Sequence, residues 1–135
     1  MSWDVSLFKF SRRYSSVSEI ASDESLVSLG SLTAVQTVVT SIFPDTDWSD
    51  PHWGIFSSKI GSIEFNVGKT DPVQSIGLHV RAGDEIVHGI LLLCGNLECQ
   101  AIDLSDGSFL EQSNDPARNL KRWREYRDQI VGDRT

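Results

Sequence analysis

The stretch that decides the fold is SIEFNVGKTDPVQSIGLHVR, residues 62–81. Apolar and polar residues alternate at both of its ends, which is the pattern of two half-buried strands joined by a turn. The apolar positions fall on one face, formed by Ile63, Phe65, Val67, Ile76, Leu78 and Val80. The polar positions fall on the other, formed by Glu64, Asn66, Gly77, His79 and Arg81. An antiparallel hairpin with one buried face is therefore expected.

Glu64 and His79 are expected to be direct or diagonal neighbours across this hairpin, because the register must align the two apolar faces. A carboxylate and an imidazole beside Arg81 would supply an acid, a base and an anion clamp for hydrolysis or RNA cleavage. Charged pairs of this kind also occur on any solvated sheet face. A binding surface is the third interpretation of the same residues.

The segments before the hairpin predict a strand, a connector and a helix. Residues 2–10, SWDVSLFKF, alternate with both faces partly covered, which indicates an interior strand. The Ser-rich residues 11–31 predict a long irregular connector. Residues 31–44, SLTAVQTVVTSIFP, predict a helix capped by Ser31, with a strand as the alternative because valine and threonine are frequent in it.

The segments around and after the hairpin complete the order of elements. Residues 44–54, PDTDWSDPHWG, predict a loop that leads into a strand. Residues 83–97 predict a mostly buried helix with Asp84 as its N-cap, and two short strands joined by Ser-Asp-Gly follow. A last helix is expected to begin at Asp115 and Pro116, with a buried stripe of Leu120, Trp123, Tyr126 or Arg127, and Ile130.

This order predicts an α+β fold, with an antiparallel sheet of about five to six strands packed by two to three helices. A chain of 135 residues is long enough to bury its own core, so residues 1–135 are expected to form a single domain. The strands and helices do not alternate regularly, and no glycine-rich nucleotide-binding motif is present. A doubly wound dinucleotide-binding fold is therefore not expected.

The composition and the cysteines indicate a cytoplasmic protein without a bound metal or cofactor. No secretory signal is visible, and no run approaches the ~20 apolar residues that a membrane helix needs. Cys94 and Cys99 have no further Cys or clustered His to complete a zinc site, so reduced thiols are expected. No nucleophile motif is found either.

Charge is distributed unevenly along the chain. Residues 1–115 carry 6 Lys and Arg against 16 Asp and Glu, a net charge of −10, whereas residues 116–135 carry 6 against 3, a net charge of +3. An acidic body repels phosphate groups and accelerates the capture of a basic partner. The alternative interpretation is that the acidity only keeps the protein soluble. No membrane partner is expected.

The acidic segment is the first candidate binding site, because it surrounds aromatic side chains with charges, as interface hot spots often do. Its residues are Asp45, Asp47, Trp48, Asp50 and Trp53. The three aspartates lack the glycine and the final glutamate of a calcium loop, and Asx turns explain them equally well. The polar hairpin face, with Glu64, His79 and Arg81, is the second candidate.

The basic terminal segment is a weaker candidate. Arg118, Lys121, Arg122, Arg124 and Arg127 lie on its predicted helix. Binding to nucleic acid through them is not expected, because the aromatic residues of this helix fall on the core stripe and two acidic residues interrupt the basic face.

Five segments resemble those of a family of small uncharacterised bacterial α+β proteins: residues 29–32 (LGSL), 43–54, 62–81, 103–111 (DLSDGSFLE) and 123–128 (WREYRD). The similarity spans nearly the whole chain, and no catalytic residue can be carried over from it. In size, acidity and α+β organisation the chain also resembles, more loosely, the immunity proteins of bacterial toxin systems. That second resemblance implies a protein partner, such as a basic toxin domain.

Together these observations favour a non-enzymatic cytosolic binding protein of the immunity type, which neutralises a toxin or effector by direct binding. The alternative is a small hydrolase or nuclease that uses Glu64, His79 and Arg81 on one sheet face.

Overall fold

The computed structural model describes residues 1–133 and contains seven strands and three α-helices in these residues. The strands are β1 Trp3–Phe8, β2 Asp47–Asp50, β3 Trp53–Ser58, β4 Gly61–Asn66, β5 Ser75–Ala82, β6 Gln100–Asp103 and β7 Ser108–Phe109. The helices are α1 Leu32–Ile42, α2 Ile86–Leu97 and α3 Arg118–Asp133. Residues 134 and 135, the end of the basic segment, lie outside the described residues.

All seven strands form one antiparallel sheet in the order β2-β3-β4-β5-β1-β6-β7. The α+β class is confirmed, and β1 is an interior strand as its alternating sequence indicates. The expected count of five to six strands is wrong by one strand. The additional strand is β2, which falls within the predicted loop, because a short polar edge strand has no buried face to produce an alternating pattern.

The central hairpin has the predicted register. In β4 and β5, Glu64 pairs with His79, Phe65 with Leu78 and Ile63 with Val80. All six apolar residues of the hairpin face are buried, with at most 1% of their surface exposed. The alternation of apolar and polar residues therefore predicted the strands and the buried face, and the observed register is the direct one of the two that it allowed.

All three helices pack on the apolar face of the sheet. A single core cluster joins residues of all three helices to the hairpin: Val35 and Val39 of α1, Ile90 and Leu93 of α2, and Leu120 of α3. Helix α1 forms as predicted, and the Ser31 side chain accepts a hydrogen bond from the Ala34 backbone N–H at 3.1 Å. Within residues 1–133, no helix is both long and apolar enough to cross a membrane.

The predicted start of α2 is wrong. Glu85, not Asp84, precedes the first helical residue, and no side chain caps the helix. Asp84 instead forms ion pairs with two residues of α3, Arg124 at 2.6 Å and Lys121 at 3.6 Å. The carboxylate therefore joins two helices rather than ending one, a tertiary role that the local sequence does not show.

The last helix also begins later than predicted. Its first residue is Arg118, because Asp115 and Pro116 form a preceding turn in which the Arg118 N–H donates to the Asp115 carbonyl at 3.1 Å. Leu120 is buried and Trp123 packs against the core, as expected. Tyr126 is 55% exposed, so its place in the predicted stripe is wrong, and the Arg127 guanidinium lies over the Trp123 ring instead.

The irregular connector covers one end of the other sheet face. Phe10 contacts Phe8 of β1, Phe109 of β7 and Tyr14 of the connector, at ring-centroid distances of 6.0, 6.2 and 5.5 Å. The Gln100 side chain holds Tyr14 in place, because its amide accepts from the Tyr14 N–H at 2.9 Å and donates to the Tyr14 carbonyl at 2.8 Å. This aromatic cluster forms a second, smaller buried region over β1, β6 and β7.

Helix α2 ends in a Schellman motif. The Cys99 N–H donates to the Cys94 carbonyl at 3.0 Å and the Glu98 N–H donates to the Gly95 carbonyl at 3.4 Å. Glu98 adopts the left-handed conformation, with φ 53° and ψ 44°. Glycine is favoured at this position, because an L-residue there carries a steric cost at its Cβ.

Replacing Leu78 by Ala should lower the free energy of unfolding by about 2–5 kcal/mol, because Leu78 is fully buried between β1 and β4 and its truncation leaves a cavity. Ser57→Ala, on an exposed position of β3, should change it by less than about 0.5 kcal/mol. Urea unfolding followed by circular dichroism measures both variants. Equal effects of the two substitutions would contradict the assignment of the core face.

Glu98→Gly should raise the free energy of unfolding by about 0.5–1 kcal/mol, because it relieves the left-handed strain. Glu98→Ala is the matched control: it also removes the exposed ion pair with Lys9 but keeps a Cβ at the same backbone conformation. Thermal and urea denaturation should place the alanine variant near the wild type. A glycine variant no more stable than the alanine variant would show that strain at residue 98 is negligible.

Candidate binding face

The sheet face opposite the helices is left uncovered over β2, β3, β4, β5 and the start of β1, and we call this part the open face. Paired residues of adjacent strands share a face, so the register identifies its members. One row crosses five strands, through Asp4, His79, Glu64, Ile55 and Asp47. The adjacent row contains Asp50, Trp53 and Asn66. The register thus brings residues of both candidate sites onto one surface.

Trp53 is the aromatic centre of the open face. Its ring stacks on the His79 imidazole, with centroids 5.6 Å apart and an interplanar angle of 16°. Its indole N–H donates to Glu64 Oε1 at 3.3 Å. These contacts span β3, β4 and β5, so the indole is held in one orientation while it remains half-buried and accessible.

The charged residues of the open face pair differently from the expectation. Glu64 faces His79 in the register as predicted, but its Oε2 accepts from Arg81 Nη1 at 2.9 Å. His79 Nδ1 instead lies 3.0 Å from Asp4 Oδ1. Asp4 was missed because its approach depends on the pairing of β1 with β5, which are distant in sequence.

The ion pair with Arg81 changes the acidity of Glu64. The hydrogen bond from Arg81 lowers the pKa of this carboxyl below its ordinary value of 4.5, and the hydrogen bond from Trp53 acts in the same direction. Burial opposes both effects. The contacts of the open face therefore stabilise the carboxylate form of Glu64.

The acidic segment forms the edge of the sheet rather than a loop. Strand β2 contains a bulge between Asp47 and Asp50, and both of these residues are exposed. Asp47 Oδ1 accepts from the Ser49 N–H at 2.8 Å, and Asp50 Oδ1 accepts from the His52 N–H at 2.9 Å. Hydrogen bonds from the Ser49 side chain and backbone lower the pKa of Asp47. Asp45 precedes the strand with a positive φ of 64°.

Trp48 does not belong to the open face. Its indole N–H donates to Thr40 Oγ1 of α1 at 3.0 Å, and its ring packs against the core. A Cβ on Gly54 would lie 2.7 Å from this ring, so glycine leaves the space that the indole fills. Trp48 thus attaches the edge strand to the helix layer, whereas Trp53 lies on the open face.

Two further observations concern metal binding and nucleic-acid binding. In residues 1–133 no group of three or more His, Cys, Asp and Glu side chains is arranged to hold a metal ion. On α3, the cations are largely paired with carboxylates, Arg118 with Asp115, Lys121 and Arg124 with Asp84, and Arg127 with Asp128. These pairs reduce the positive potential that a phosphate backbone would meet.

The lowered pKa of Glu64 predicts a specific acid dependence of stability. A carboxylate with a depressed folded-state pKa stabilises the protein above its ordinary pKa, and the contribution is lost as pH falls through the folded value. Glu64→Gln should therefore be less stable than the wild type at pH about 7, and the difference should shrink towards pH about 3. Urea denaturation at several pH values measures this. A difference that is constant with pH would show that the charge of Glu64 contributes nothing.

Comparisons of the chain with protein-family models, with curated proteins and with solved structures find no match.

Proposed function

We propose that this protein binds a basic protein partner through the open face and does not transform it. The observation that supports the proposal is the continuity of the surface, in which an acidic edge strand, a fixed half-buried indole and an exposed apolar side chain lie on one uncovered sheet face. Interfaces combine an aromatic and apolar centre with a polar rim in the same way.

Charge supplies the long-range part of the recognition. Asp4, Asp47, Asp50 and Glu64 place four carboxylates on the open face, and Arg81 is engaged with one of them. Residues 1–115, which include these side chains, carry a net charge of −10. A cationic partner is therefore attracted to this protein, and its association rate should fall as salt screens the field.

The indole supplies the short-range part. Trp53 loses little conformational freedom on binding, because the His79 ring and the Glu64 carboxylate already fix its orientation. Ile55, 43% exposed and next to Trp53 on β3, extends the apolar area. We infer that these two residues form the centre of the interface and that the carboxylates form its rim.

The nature of the partner is the finer part of the proposal. The looser resemblance to immunity proteins, together with the acidity of the face, supports a basic toxin or effector domain, which the protein neutralises by covering it in the cytoplasm. Such a role needs affinity and complementarity but no turnover.

A hydrolase or nuclease is the second candidate, and the pairing of Asp4 with His79 favours it. A carboxylate next to Nδ1 orients an imidazole and supports it as a general base. Glu64 and Arg81 lie beside this pair, although they are bonded to each other. Under this candidate His79→Gln abolishes turnover of a substrate, whereas under the binding proposal no turnover exists to be lost.

Changing Asp45, Asp47 and Asp50 together to Asn should slow association with the partner and flatten its salt dependence. Asparagine keeps an Oδ1 acceptor for the bonds from the Ser49 and His52 backbone N–H groups, so the fold should persist. Glu19→Gln combined with Asp23→Asn and Glu125→Gln is the matched control, because it removes the same charge from exposed positions outside the open face. The measurement is surface-based kinetics at several salt concentrations, with a partner captured from the native host.

Trp53→Ala should act mainly on dissociation, at a cost of about 2 kcal/mol or more in binding free energy. Trp48→Phe should lower the stability, because it removes the hydrogen bond to Thr40, and leave the affinity unchanged.

Equal binding by the triple asparagine variant and its control at all salt concentrations would reject the acidic face as the interface. Toxicity of the captured protein, relieved by co-expression of the wild type, separates the finer proposal from the general one. If the captured partner binds as described but is not toxic, the proposal of the open face as a binding surface is retained and the immunity role is rejected.

A further inference from the structure

We propose that Cys94 and Cys99 form a reversible intramolecular disulfide by exchange with a small anionic disulfide of the glutathione type. This inference concerns the end of α2 and the start of β6, and it is independent of the open face. Neither cysteine is used in the binding proposal. Both thiols are free in this structure.

The backbone brings the two cysteines together. In a Schellman motif the residue at the third position from the helix end contacts the second residue after it, and a hydrophobic pair normally fills that contact. Here the backbone bonds of the motif assign these two positions to Cys94 and Cys99. The two side chains meet, and this contact, together with burial, raises the pKa of the Cys94 thiol. A disulfide joins cysteines at close range of this kind without a long loop to close.

A small oxidant can reach the pair. Cys94 and Cys99 both line a cavity of about 390 Å3, together with Arg13, Glu98 and Glu111. Cys99 also lines an adjoining cavity of about 110 Å3, which has Arg12 and Arg13 in its wall. The thiols are 5% and 2% exposed, so they are reached through these cavities rather than from open surface. Arg13 lines both cavities and is the cation that a carboxylate of glutathione would contact, whereas Glu98 and Glu111 in the wall of the larger cavity oppose an anion.

The chemistry balances as two thiol–disulfide exchanges. The Cys99 thiolate attacks one sulfur of oxidised glutathione. A mixed disulfide between Cys99 and one glutathione forms, and the other glutathione leaves as a thiolate. The Cys94 thiol then loses its proton, attacks the Cys99 sulfur of the mixed disulfide and displaces the second glutathione as a thiolate. The pair is oxidised by two electrons, and two glutathione thiols are produced. Cys99 is assigned the first attack because it lines both cavities, whereas Cys94 lines only the larger one.

The disulfide would constrain the backbone on both sides of Glu98, which has the left-handed conformation. Glu98 lies between the two cysteines in its left-handed conformation, and the disulfide would join the last turn of α2 to the first residues of β6 around it. Because the backbone bonds of the Schellman motif already hold the two cysteines together, we expect the bond to be more stable in the folded chain than in the unfolded chain.

The test is equilibration of the full chain with mixtures of reduced and oxidised glutathione, with and without urea. Mass spectrometry after alkylation counts the free thiols. In the folded protein the disulfide should form without loss of the circular dichroism spectrum, and its equilibrium constant should be at least about tenfold larger than in urea. A constant that is smaller in the folded protein, or thiols that stay reduced in it, would overturn the proposal.

Variants test the route. Cys94→Ala should accumulate the mixed disulfide on Cys99, and Cys99→Ala should not; the reverse result would overturn the assigned order of attack. Arg13→Gln should slow exchange with glutathione but not with the neutral hydroxyethyl disulfide, whereas Arg122→Gln, a charge-matched control on α3, should change neither rate. An equal slowing by both arginine variants would overturn the role of the cavity. Thermal melts of each variant confirm folding before the exchange is measured.

Discussion

The burial of one face of the central strands is the constraint on which the rest of the structure depends. Because Leu78 and Phe65 face the helices, a shift of either strand by one residue would place charged side chains in the core. Registers displaced by an odd number of residues are thereby excluded, and the register that the hairpin adopts determines which polar residues become neighbours on the open face. The arrangement of Trp53, Glu64 and His79 is thus a consequence of core packing at the opposite side of the same strands.

Local patterns in the sequence were sufficient for the elements whose causes are local. The hairpin follows from its alternation, and α1 follows from Ser31 and its apolar stripe. Features that depend on distant segments could not be found in this way. Asp4 lies next to His79 only because β1 pairs with β5. Asp84 does not cap α2 as expected, because its carboxylate forms ion pairs with two cations of α3. The edge strand β2 escaped prediction because exposed polar strands resemble loops in composition.

The carboxylates of β2 have two physical effects at once. An exposed edge strand invites pairing with other chains, and charges together with a bulge suppress such pairing. The same charges create the field that attracts a cationic partner. If the proposed function holds, resistance to edge pairing and fast association depend on the same residues, and the Asx turns that hold Asp47 and Asp50 serve both.

The aromatic cluster around Tyr14 sets the size of the area that remains for a partner. Adjacent strands lie about 4.8 Å apart and each residue advances about 3.3 Å, so the five strands left open, about six residues long, offer roughly 400–500 Å2. A standard interface buries about 800 Å2 on each partner. A partner that makes an interface of standard size would therefore extend past the strands onto the loops at their ends, and the footprint of the complex would include residues that the sheet only supports.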